Sequence, residues 1–182
     1  MATETARVFF ALWPPAALAD DLAGLAGQLT QLCGGKPTRT DTVHLTLAFV
    51  GEIDASRLPE LAAAAQGLAL PSFELTLDRL GYWPHNRIVW AGCSAPPVGL
   101  LELAATLRAR VMAAGFPVDR GSAGFFPHLT LLRKAMRAPP ASTLEAPQGW
   151  RCQGFVLVRS HLSASGSRYR VVQHYPFPVH AA

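Results

Sequence analysis

Thr42-Val43-His44-Leu45-Thr46-Leu47-Ala48-Phe49-Val50 has a near-copy far along the chain, Phe125-Phe126-Pro127-His128-Leu129-Thr130-Leu131-Leu132. Both contain the same four residues, His-Leu-Thr-Leu, set in an apolar, β-prone run. Strand side chains alternate between faces with period two. His44 and Thr46 therefore share one face, and Val43, Leu45 and Leu47 take the other. The second copy reads the same way, with His128 and Thr130 outward and Leu129 and Leu131 inward. One such strand is an ordinary half-buried sheet edge, because Thr favours strands and His tolerates a wet face. Two identical copies facing one cleft hold two imidazoles and two hydroxyls around one small ligand.

Outward from these strands the chain alternates strands and helices. Residues 7–12 read as a strand, and Pro14-Pro15 opens a helix whose Leu18, Leu22, Leu25 and Leu29 fall at helical spacing through about residue 31. Gly34-Gly35 stops it. The first motif strand, 42–50, ends at Gly51. Ser56 caps a second helix running to about Gln66. Residues 73–77 and 87–91 read as strands joined through turn material at 82–86. Pro96-Pro97 opens a third helix with Leu100, Leu103, Leu107 and Val111 on its buried face, ended by Gly115. The second motif strand covers 125–132. Residues 138–149, with Pro139, Pro140 and Pro147, read as a loop. Strands at 155–158 and 169–172 close the chain around a small-residue turn at 163–167. This order predicts two related lobes, each giving one His/Thr strand to a central groove.

Composition narrows the class. Of 182 residues, 50% are hydrophobic and 15% charged, which describes a globular chain and not a disordered one. No apolar run approaches the ~20 residues a bilayer span needs. Residues 7–13 loosely resemble the apolar part of a signal peptide, but Glu4 and Pro14-Pro15 flank them wrongly, and a first strand fits better. Cys33, Cys93 and Cys152 are odd in number and scattered, which argues against a disulfide framework and for a reducing cytoplasm. The six histidines show no metal-ligand spacing, so neither metal nor cofactor is expected. The net charge of +4 is unevenly spread. From Arg120 on, eight basic residues meet one acid, Glu145, so that part carries +7 and the rest −3. Such asymmetry points to an anionic partner.

Two histidines across a cleft suit acid–base chemistry, since imidazole titrates near ~6.5 and both forms coexist near neutrality. One can accept a proton from water while the other gives one to a departing oxygen. The Thr46 and Thr130 hydroxyls can bond the non-bridging oxygens of an anionic centre. Arg133, at the end of the second motif strand, can contact a phosphate or stack on a base. Together these suit a phosphodiester, and a cyclic one best.

The paired His-x-Thr-x motifs resemble the two-histidine (2H) phosphoesterase superfamily. The text around them resembles one branch, the RNA 2′,3′-cyclic phosphodiesterases, also called LigT-like 2′-5′ RNA ligases or ThpR. Arg7–Leu12, Val43–Gly51, Arg87–Trp90, Phe126–Arg133 and Ser167-Arg168-Tyr169 carry the likeness over nearly the whole chain. The resemblance implies an α+β bilobed fold over 1–182, with two pseudo-symmetric lobes whose antiparallel sheets line a central cleft and helices outside. It implies metal-independent opening of RNA 2′,3′-cyclic phosphates to 2′-phosphates, with reversible 2′-5′ joining. His44 would then donate to the leaving 3′ oxygen, His128 would activate water, and Thr46 and Thr130 would grip the phosphate. The two motifs alone leave the acid and base roles open. Expected partners are RNA ends or nucleotides carrying a 2′,3′-cyclic phosphate, with no membrane and a monomer by default. Two other readings fit the same residues. One is an RNA- or nucleotide-binding module on this scaffold. The other is a 2H activity on a different substrate, such as ADP-ribose 1″,2″-cyclic phosphate, an oligo-2′-5′-adenylate or a tRNA-splicing product.

Overall fold

The computed structural model describes residues 4–68, 70–119, 124–163 and 166–178. Its strands are β1 (Thr5–Leu12), β2 (Lys36–Pro37), β3 (Leu45–Asp54), β4 (Phe73–Trp83), β5 (Ile88–Gly92), β6 (His128–Arg133), β7 (Thr143–Cys152), β8 (Gly154–Ser163) and β9 (Gly166–Pro176). Three helices interleave with them: α1 (Ala16–Cys33), α2 (Leu58–Ala64) and α3 (Val98–Ala113). The fold is α+β, and every strand pairing among the described residues is antiparallel. No helix among the described residues is long and apolar enough to cross a membrane.

The strands follow the order β7-β4-β5-β6-β3-β1-β8-β9, with β2 added beside β6. The seam between β6 and β3 is a single residue pair, Leu45 opposite Leu129. Elsewhere neighbours pair over many residues; β1 runs along β3 from Thr5–Asp54 to Leu12–Leu45. The sheet thus divides at the two motif strands into a five-stranded half (β7, β4, β5, β6 and β2) and a four-stranded half (β3, β1, β8 and β9), the lobes predicted from the repeat.

The helices cover one sheet face. Leu18, Leu22 and Leu29 of α1, Leu61 of α2 and Leu100, Leu103 and Leu107 of α3 join Leu45, Leu47, Leu129 and Leu131 in one buried core. At ~1.5–3 kcal/mol for each such side chain, this layer holds the halves together. The helices cross over. The chain runs from α1 into β3, yet α1 packs on β6 and β2; it runs from α3 towards β6, yet α3 packs on β3. The cause lies just after α1: Lys36 and Pro37 pair with Arg133 and Leu132, which ties the end of α1 to the second lobe.

The loop expected over 138–149 is corrected by the structure. Residues 143–152 form β7 on the outer edge, paired only with β4 among the described residues. Pro147 within it, and Pro139 and Pro140 before it, mimic a loop signal. An edge strand needs donors on one side only, and Pro147 falls in the irregular stretch between the Leu77–Gln148 and Arg79–Thr143 pairs. Each motif strand also starts later than expected, at Leu45 and His128, because 40–42 coils into a 3-10 turn and 124–127 stays outside the ladder. The turn expected over 163–167 falls partly outside the described residues, as does His180.

Candidate active site

The Leu45–Leu129 pair sits at the centre of the site. In antiparallel register, one step either way sets His44 across from Thr130 and His128 across from Thr46. Of these two pairings, His44 and Thr130 line one common cavity. All four side chains are half-buried, while Val43, Leu45, Leu47, Leu129 and Leu131 are buried beneath them.

The same device orients both rings. His44 Nδ1–H donates to the Thr42 carbonyl at 2.7 Å, and His128 Nδ1–H donates to the Phe126 carbonyl at 2.8 Å. A carbonyl only accepts, so Nδ1 carries the proton and Nε2 becomes the nitrogen that exchanges one. Aromatic walls pin the rings further. Trp13 stacks on His44 with centroids 5.7 Å apart and planes at 9°; Phe9 lies 4.8 Å away and Tyr169 meets the ring edge-on at 5.2 Å. Trp83 meets His128 edge-on at 4.6 Å, and Phe126 lies 6.3 Å away.

Burial lowers the basicity of both rings. It pushes His44 down to about 4, against the pull of the Thr42 carbonyl; Arg133 and then His128 push it further. His128 is also lowered, by burial first and then by Arg133, against the Phe126 carbonyl. Arg133 therefore acts on both imidazoles, and His128 acts on His44, which places all three within one field. With no anion bound, both rings are neutral near pH 7.

His44, Thr130, Arg133 and Tyr169 line a cavity of about 270 Å³. Lys36, Arg39 and Lys134 make its lining strongly basic, and no acidic side chain among the described residues lines it. Thr42 and Ser167 add hydroxyls. His128 and Thr46 are not among the residues that line it, although His128 shares β6 with Thr130 and Arg133, and Thr46 follows His44 at the start of β3. Sequence reasoning missed Lys36, Arg39 and Lys134, which no motif marks; the β2–β6 pairing brings Lys36 beside Arg133, and Lys134 follows Arg133 in the chain. It also missed Trp13 and Trp83. Phe10 belongs to the main core; Phe9 is buried in a separate small cluster beside His44. His85, His161 and His174 are exposed.

The model of LigT-like phosphoesterases matches residues 12–90, which hold the first motif but not the second. The RNA 2′,3′-cyclic phosphodiesterase of Escherichia coli K12 is 34% identical over 168 residues, 92% of this chain and 94% of its own. The chain belongs to this family of LigT-like phosphoesterases. A Thermus thermophilus phosphodiesterase of the same name is 31% identical over 93% of this chain and 89% of its own. The crystal structure of E. coli LigT with 3′-AMP superposes with a TM-score of 0.86 at 32% identity, covering 96% of this chain and 99% of that one. The likeness spans both lobes, so the 2H phosphoesterase fold extends past the span the family model matches.

Proposed function

We propose that residues 1–182 form one bilobed RNA 2′,3′-cyclic phosphodiesterase domain that opens cyclic phosphates to 2′-phosphates without a metal. The reading is carried by the one-pair seam at Leu45–Leu129, beside which both motif imidazoles are held by the same Nδ1–carbonyl bond. The relatives' names and the 3′-AMP held by E. coli LigT support the substrate class. The expected setting is the cytoplasm, and the expected state a monomer.

Hydrolysis needs one imidazole neutral and one protonated. His128 takes the proton of the attacking water on Nε2. His44 gives a proton to the departing 3′ oxygen, the role its family resemblance assigns. Burial makes that role conditional. A group at about 4 holds its proton in roughly one molecule in a thousand at pH 7. A bound phosphodiester anion opposes the push of Arg133 and favours the imidazolium. The acid is thus loaded by the substrate it serves. Thr46 and Thr130 donate to the non-bridging oxygens, and Arg133 balances charge that develops on them. With an RNA 5′-hydroxyl in place of the water, the same forward step forms a P–O5′ bond as the P–O3′ bond breaks, and the proton His128 takes comes from that hydroxyl, so the ends join through a 2′-5′ link.

The test is incubation with a nucleoside 2′,3′-cyclic phosphate in excess chelator. The expected product is the 2′-monophosphate at an undiminished rate. Activity that needs an added divalent ion, or a 3′-monophosphate product, contradicts the proposal. A protein that binds the ligand without turnover is the binding module instead.

A further inference from the structure

Lys134 occupies a backbone conformation that its residue type resists. Its φ is +57°, a left-handed value that glycine adopts freely and a lysine adopts at a cost of ~1–2 kcal/mol. The neighbouring chain holds it there. Arg87, itself at φ +59°, donates from its guanidinium to the Lys134 carbonyl at 3.0 Å and the Ala135 carbonyl at 3.1 Å. The Ala135 N–H returns a bond to the Arg87 carbonyl at 2.9 Å, and the Met136 N–H bonds the Cys33 carbonyl at 2.8 Å. A strained residue braced on several sides marks a position where the side chain is needed. That side chain lines the basic cavity.

The charge of the cavity exceeds what one cyclic phosphate uses. A nucleoside 2′,3′-cyclic phosphate carries a single negative charge. Arg133 meets that charge, and Arg39 is held by Asp41 at 2.6 Å. Lys36 and Lys134 remain. Lys36 lies directly across β2–β6 from Arg133, and Lys134 follows Arg133 in the chain, so the two lysines flank it. Two further cations beside an already neutralised phosphate suit a second phosphate on the same RNA strand.

We infer that Lys36 and Lys134 form a second phosphate subsite, which takes the backbone phosphate next to the cyclic end. The inference deepens the hydrolase reading and rests on it. The subsite makes a short oligoribonucleotide ending in a 2′,3′-cyclic phosphate a better substrate than the cyclic mononucleotide. Its contribution is electrostatic, so the preference shrinks as salt rises.

The test compares a trinucleotide 2′,3′-cyclic phosphate with a nucleoside 2′,3′-cyclic phosphate, using Lys134→Gly and Lys36→Gln. Glycine relaxes the left-handed corner, so Lys134→Gly melts no lower than the wild type, and any loss of activity is not a loss of fold. Each substitution is expected to lower the trinucleotide-to-mononucleotide ratio of kcat/KM by about tenfold. Each also lowers the salt slope for the trinucleotide by about 0.7. Turnover of both substrates with an unchanged ratio overturns the subsite alone. A wild type inactive on both overturns the hydrolase reading beneath it.

Discussion

At the scale of single residues, the site is defined by two imidazoles held alike and depressed unequally. His44 is lowered to about 4 and His128 in the same direction, so the form with one proton shared between them lies on the acid side of the ordinary value near 6.5. The pH profile of kcat/KM, which reports the free enzyme, is expected to peak below pH 6.5. That of kcat should peak higher, because the bound anion restores the proton. Arg133 pushes both rings down, so Arg133→Ala should move the kcat/KM peak to higher pH while raising KM. Steady-state rates from pH 4 to 9 check both shifts. The histidines and threonines were legible in the sequence because a repeated four-residue pattern is visible without coordinates. Arg133 was legible only as a neighbour of that pattern. Lys36 and Trp13 were not legible, because a two-residue strand and a side chain just past β1 reach the site through tertiary pairing alone.

At the scale of elements, the seam between β3 and β6 sets the distance across the site. Leu45 and Leu129 are both fully buried there. Leu129→Ala is expected to cost about 2–5 kcal/mol of stability, and the surviving folded protein should lose kcat more than it raises KM. Denaturant titration and steady-state kinetics on one preparation separate the two effects. Gly35 is a second constraint. Its φ is +93°, and a Cβ there would lie 2.6 Å from the Arg133 carbonyl. Gly35→Ala should therefore lower the melting temperature and disturb Arg133, whereas Gly67→Ala, left-handed but with no described atom near its Cβ, should affect stability alone. The element order was readable from periodicity and turn residues, with boundaries shifted by a few residues. β7 was unreadable as a strand because prolines on a sheet edge carry the same signal as prolines in a loop. The crossing of α1 and α3 to opposite motif strands leaves no mark in local sequence.

At the scale of the molecule, two lobes meet beside a basic opening, and folding holds two histidines neutral at the seam between them. The unfolded chain protonates both near 6.5, while the folded chain resists until His44 reaches about 4. Unfolded chains thus bind more protons in that window, and stability falls as pH drops from about 6.5 towards 4. The doubly substituted His44→Gln, His128→Gln protein should lose less stability over the same interval, by thermal melts at stepped pH. The central claim is that imidazoles from distant parts of the chain act as one unit on a single phosphate. Turnover of a nucleoside 2′,3′-cyclic phosphate by His44→Ala, His128→Ala and the double variant tests this most directly. Each single change is expected to lower kcat by about 10²–10⁴-fold, with the double variant little worse than the more damaged single one and 2′-monophosphate still bound by all three. Wild-type turnover by either single variant would contradict it.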